Sequence, residues 1–491
     1  MCSAVNLNIA MTQSWTRRDV LRTVATAAST SVLAGLSGQR RRVGIVGAGM
    51  AGISLAWLLD GQRDVVVLEA RDTIGGNVRS VDVELDGHRF VVDMGAQYFH
   101  PGPYPLYTTL LSRLNLYPPE STRPEQSHSF PASITVENPA ELAPRFVSPS
   151  LPERWWPLLA PWNWAGTVAF AVAFAAAQTR ERLDESWALT LGDWLPTLGL
   201  SRELWEGTLL PWAASLFTGD IEEARGMSAR AAMIFAAKAL PPGLFDPVVY
   251  YVMNQGLIEA MRRMLDQCST VQVVTRATVD HVSREPHGRF SLRCVDGSSF
   301  TVDDLVFASS GPGTLQLLNG LSGTRPQQAS LEAIEFRPAR LALHSDPIYA
   351  PANPGCWSFL NCQITGSYCE ASMWLAAVIT GPPPRTAARL WKSWVTHRRD
   401  QPVTVLHDAG FMHMIPTPST LAAQGAVSRF QGRDGLWFAG GFLHPYDSQE
   451  TALRSALGVA LGLGATSTRG KTLLAAADER DVRDPAELLF R

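Results

Sequence analysis

The chain has 491 residues, 46% hydrophobic and 18% charged, with a formal net charge of −3. That composition excludes wholesale disorder and leaves room for two large domains or one discontinuous pair. Lysine occurs only at Lys238, Lys392 and Lys471, and Cys2, Cys268, Cys294, Cys356, Cys362 and Cys369 include no CxxC pair, so neither a nucleic-acid partner nor a metal site is expected.

Residues 1–38 read as lying outside the fold. Thr16-Arg17-Arg18-Asp-Val-Leu21-Arg22 precedes a weakly apolar run to Ser37 and resembles a twin-arginine export signal. Export to the periplasm or the cell exterior is the expectation. The alternative is a disordered extension on a cytoplasmic protein. On export, Cys356, Cys362 and Cys369 could pair, whereas a buried free thiol is the default for Cys362.

Arg42-Val-Gly-Ile-Val-Gly47-Ala-Gly49-Met-Ala-Gly52 is the first structured stretch and reads as strand, tight turn and helix. Gly47 permits the turn, Gly49 lets backbone approach a pyrophosphate, and Gly52 lets the helix pack against the strand. The opening N–H groups at Met50 and Ala51 point the positive end of the helix at that anion. Val65-Val-Val-Leu-Glu69 is the next strand. Glu69 lies 22 residues after Gly47, the spacing of an acid that binds a ribose hydroxyl.

Glu69-Ala70-Arg71 runs on to Gly75-Gly76-Asn77-Val-Arg79, a second glycine pair able to approach the same pyrophosphate. This extension resembles the flavin-containing amine oxidase superfamily and implies FAD, held noncovalently, rather than NAD. An arginine often follows that glycine pair in the superfamily. Asn77 stands there instead, and Arg79 is the candidate to replace it at the phosphates. Asp93-Met-Gly95-Ala96-Gln97-Tyr98 resembles the superfamily segment that passes beside the flavin ring, so Gln97 or Tyr98 is expected to face the isoalloxazine.

The resemblance implies an α/β fold: a Rossmann-like FAD-binding domain in discontinuous segments, with a mixed α+β, helix-rich substrate domain. The expected FAD segments are 39–103, 254–320 and 405–466. The substrate segments are 104–253 and 321–404, and 467–491 is a peripheral tail. Residues 104–254 read as mostly helical. Trp155 to Ala177 carries no charge over 23 residues, but Pro157, Pro161, Asn163 and Gly166 break it, leaving a helix too short to span a bilayer. It reads as a buried helix, or as a membrane-surface contact. Val271–Thr275 is a strand, period-2 alternation marks strands near Val279, Phe290 and Phe300, and Leu305–Ala308 could rejoin the parallel sheet. The resemblance places the backbone of Val279 at the adenine end.

In typical amine oxidases a lysine stands near flavin N5 just before an apolar strand. Here that place is Arg340 or nothing, and His344 follows on the same strand; these two are the catalytic candidates. The closing signature resembles Phe438-Ala-Gly440-Gly441 followed by a helix aimed at the flavin. The usual acid that grips the ribityl chain is missing, since Gly441 stands there. Asp447 and Glu450 read as a capping box, and the N–H groups of Gln449 and Glu450 would face the pyrimidine edge, where reduction places negative charge. The implied function is an FAD-dependent oxidoreductase. The Trp-rich middle and the missing lysine favour a largely apolar small-molecule substrate, desaturated or isomerised after hydride transfer to N5. The alternatives are an amine or L-amino-acid oxidase and a non-catalytic FAD-binding protein.

Overall fold

Val65-Val-Val-Leu68 has no polar side chain, and such a strand is stable with both faces covered. The computed structural model, which describes residues 40–118, 126–150, 154–217, 219–241, 246–379 and 388–477, gives it that place. Strands β1 (Arg42–Val46), β2 (Asp64–Leu68), β3 (Val271–Val274), β4 (Asp304–Phe307) and β5 (Leu436–Phe438) form one sheet in the order β5-β4-β1-β2-β3. All its pairings are parallel. Alternation then sorts the side chains. Val43, Ile45, Val65 and Val67 pack with helices α1 (Met50–Leu59), α4 (Ile258–Asp266) and α5 (Gln449–Gly462). Val46, Val66 and Leu68 face the antiparallel strands Val279–Arg284, Phe290–Cys294 and Ser299–Val302, whose Val282, Phe290 and Leu292 are fully buried.

The second unit is built on a seven-stranded sheet in the order 405–414, 336–344, 391–394, 368–374, 360–365, 134–137, 146–147. Its apolar core joins that sheet to helix α3 (Trp164–Arg182) and to Leu209–Phe217 and Ala229–Ala239. The fold class is as expected, with segmental differences. Val405–Met414 falls in the stretch assigned to the last FAD segment, yet pairs along its length with Phe336–His344 in the substrate sheet. Within 104–254, Ser127–Pro131 pairs with Val249–Met253 as a β-ribbon. In the expected tail, Thr468–Ala476 is a helix packed against Pro105–Arg113 and α5, with the Arg469 guanidinium donating to the Trp57 carbonyl of α1.

Proline opens the short turns Trp156–Leu158 and Pro161–Asn163, and α3 begins only after them. No helix among the described residues is long and apolar enough to cross a membrane. Cys268, Cys294, Cys356, Cys362 and Cys369 are free thiols. The twin-arginine stretch lies outside the described residues.

Candidate active site

The two glycine loops meet at the carboxyl ends of β1 and β2. Gly49 bridges Gly75, and a Cβ on Gly76 would stand 2.9 Å from the Gly49 Cα. A Cβ on Gly52 would be 2.0 Å from the Gly47 carbonyl oxygen, so the helix starts as tight against the turn as the spacing demands. Glu69 is buried and accepts from the N–H of Ala48 at 2.8 Å and of Arg71 at 3.0 Å. Ala277 donates from its N–H to the Glu69 carbonyl, and Thr278 reaches the Ala70 carbonyl, which brings the turn before Val279 alongside the ribose acid. Arg71 donates to the Gly76 carbonyl. Arg79 lies over the Phe411 ring, and burial, then the charge of Arg71, lowers its pKa. Two guanidiniums thus converge beside paired glycine backbone, and Met50 and Ala51 open α1 directly after Gly49. This arrangement suits a pyrophosphate.

The second flank is Gly95-Ala96-Gln97. A Cβ on Gly95 would be 2.1 Å from the Asn77 carbonyl oxygen, and Ala96 donates to that same oxygen. Gln97 is buried with its Oε1 unpartnered. Gln449 donates from Nε2 to the Tyr98 carbonyl, tying the start of α5 to this segment. The close glycine approaches, the converging arginines and the orphaned Gln97 amide oxygen fit FAD, whose phosphates the first flank would hold and whose ring the second would face.

Arg340 and His344 are not brought to this cleft. In strand Phe336–His344, residues 341 and 343 share a core with Met94, Phe90 and Val92, while 340, 342 and 344 point the other way. Arg340 is half-exposed and ion-paired with Asp408 at 2.6 Å. His344 is fully buried against Ser393 Oγ, and desolvation pulls its pKa down to about 4. Lys392, which sequence reading passed over, takes the inward face. It pairs with Leu343 in register and is fully buried, and its Nζ donates to the Asp93 carbonyl at 2.6 Å. Desolvation lowers its pKa to about 7, opposed by the nearby Asp93 charge. The Asp93 carboxylate, pushed up to about 6 by burial, accepts from Ser80 and from the N–H of Leu257. The available signal was a lone lysine in the strand Trp391–Trp394 of a chain that has three lysines.

Helix α5 starts differently from its expected cap. Ser448 is the N-cap and forms the capping box with Thr451. Glu450, fully buried, instead accepts from the N–H groups of Leu106 and Tyr107 and so caps helix α2 (Pro105–Arg113). Gly440 donates its N–H to Ser455 Oγ. Gly441 adjoins Asp447, and a Cβ there would be 2.1 Å from Asp447 Oδ1. Beside Tyr446, a cleft of about 240 Å³ opens among Pro103, Pro105, Ala237, Lys238 and Arg454.

Comparison with known proteins agrees with this geometry. The chain is 43% identical to tryptophan 2-monooxygenase of Pseudomonas savastanoi over 68 residues, which is 13% of this chain and 12% of that protein. Its fold matches a CLA-producing fatty acid isomerase from P. acnes (TM-score 0.59, 13% identity, 86% of this chain and 98% of the other). It equally matches putrescine oxidase bound to putrescine (TM-score 0.57, 15% identity, 87% and 99%). A sequence model of the flavin containing amine oxidoreductases matches residues 50–349, and with the two-flank FAD cleft in place the chain belongs to that family of FAD-dependent oxidoreductases.

Proposed function

We propose that this enzyme takes a hydride from a largely apolar small molecule, desaturating it, or isomerising it where the hydride is returned at another carbon. When bound, FAD supplies the hydride acceptor at N5. The observation that carries the substrate class is the aromatic surface beyond Gln97. Tyr98 meets Phe130, Tyr250 and Phe359 edge to face, Tyr104 stacks on Phe235, and Phe235 meets Tyr446. Burial holds the Tyr98 phenol up at about 12 and raises those of Tyr104 and Tyr250, so these rings stay neutral. Two interior carboxylates nearby, Glu450 and Glu370, are already bonded. Glu450 holds two backbone amides, and Glu370 holds the N–H groups of Thr396 and His397 beside Arg398. A cationic substrate needs an available carboxylate or an aromatic cage, whereas an apolar one gains about 25 cal/mol per Å² buried.

The same aromatic surface supports a second reading, oxidation of an aromatic amino acid, which the short match to tryptophan 2-monooxygenase favours. Anaerobic bleaching of the flavin separates them, on a panel of fatty and isoprenoid compounds, L-tryptophan, L-phenylalanine, putrescine and spermidine. Rapid reduction by the apolar compounds alone is expected. Rapid reduction by polyamines, with none by apolar compounds, overturns the proposal. Reduction by aromatic amino acids alone selects the second reading.

We propose further that the turns before α3, together with the start of α3 itself, touch a membrane surface. Trp155, Trp162 and Trp164 are 56, 42 and 55% exposed, with Leu159 at 66% and Val168 at 53% beside them. Exposed tryptophans on an uncharged stretch suit the bilayer interface, where an apolar substrate would also reside.

A further inference from the structure

We infer that Asp447 grips the ribityl polyol of FAD, supplying from the loop before α5 the acid that Gly441 does not carry. The inference deepens the FAD assignment and rests on it.

Three observations converge. First, the space is shared. A side chain on Gly441 would start 2.1 Å from Asp447 Oδ1 and 3.1 Å from Thr451 Oγ1, so one carboxylate can stand there and Asp447 is the one that does. Second, among the described residues no hydrogen bond or ion pair holds the Asp447 carboxylate, and burial alone pushes it up to about 6. The other carboxylates of the cleft are each held by backbone N–H groups: Glu69 by Ala48 and Arg71, Asp93 by Leu257, Glu450 by Leu106 and Tyr107. A half-buried carboxylate without a partner is an acceptor open to donors. Third, the position selects the donor. Gly440 and Gly441 follow β5, two strands from β1 in the parallel sheet, and Gly440 is tied to α5 through Ser455. A dinucleotide with its phosphates at Gly49 and Gly76 and its ring against Gln97 and Gln449 must run its linking chain between them. That chain is a polyol, and its hydroxyls donate.

The test compares FAD with ADP, which carries the adenine, ribose and pyrophosphate but no ribityl. Apoprotein is titrated with each ligand, following flavin fluorescence for FAD and heat for ADP. Asp447→Asn should weaken FAD about tenfold or more, as expected for losing hydrogen bonds to a charged group, while ADP affinity stays within twofold. Glu69→Ala should weaken both, so failure of the FAD reading looks different from failure of this one. Gly441→Asp in an Asp447→Gly background should bind FAD more tightly than Asp447→Gly alone. The inference is overturned if Asp447→Asn leaves FAD affinity within twofold or weakens ADP equally. It is also overturned if the variant's only effect is a raised KM for an amine, which would make Asp447 a substrate carboxylate, or if Gly441→Asp gives no recovery.

Discussion

Lys392 shows how much a one-residue shift in strand position decides. Arg340 occupies the place in sequence where the family's lysine is expected, but period-2 alternation sends its guanidinium to Asp408 and solvent. Lys392, on the neighbouring strand, points inward to the Asp93 carbonyl. Burial lowers the pKa of its ammonium from the ordinary 10.5 to about 7, opposed by the Asp93 charge. Between those values the unfolded chain holds the proton and the folded chain does not, so this group makes stability rise with pH. Lys392→Met removes that contribution. Thermal melts should show the wild-type advantage over Lys392→Met growing from pH 7 to pH 9, by roughly 1–2 kcal/mol. A difference that shrinks or stays flat over that window refutes the reading. Asp93, raised to about 6, titrates below it. No sequence rule distinguishes Arg340 from Lys392, because which face of a strand looks at the cofactor depends on what the sheet packs against.

At the scale of elements, Glu450 joins two helices. It lies in the first turn of α5, yet its carboxylate caps α2, with Arg454 at 3.6 Å. Glu450→Ala should cost about 1–2 kcal/mol, the loss typical of a removed cap. Hydrogen exchange at the amides of Leu106 and Tyr107 in α2 should accelerate more than exchange in α5. Uniform acceleration across α5 would instead mean that Glu450 serves its own helix. The local sequence Asp447-x-x-Glu450 suggested a self-contained box, and only the approach of α2 across the chain reveals the other use. The broken segment before α3 makes a second prediction. Wild-type protein should co-sediment with phospholipid vesicles, and replacing Trp155, Trp162 and Trp164 together by Ser should lower the bound fraction several-fold without changing the melting temperature. These side chains are half-exposed and contribute little to the core. Equal sedimentation of both proteins would refute the membrane contact.

The whole molecule is organised by its cofactor. Purified protein should be yellow, and acid precipitation should leave the flavin in the supernatant, the outcome expected of noncovalent FAD. Flavin remaining in the pellet would contradict this. FAD at about 100 times its Kd should add about 2.7 kcal/mol of stability, read as a higher melting temperature. Much of this was legible in the chain. The phosphate-binding turn, the strand before it, the helix after it and the second glycine pair are contiguous, and contiguous backbone chemistry can be read from residue types alone. The antiparallel strands around Val282 and Leu292 were likewise written in their alternation. What only the tertiary structure decided are the meetings of distant segments. These are Lys392 with Asp93, Glu450 with α2, Asp447 with Gly441, and Val405–Met414 with Phe336–His344. Each depends on the register of a long-range pairing or the approach of one packed element to another. Side-chain type and spacing along the chain do not carry that information, because the partners lie on different elements and meet only when the sheets and helices have closed around the core.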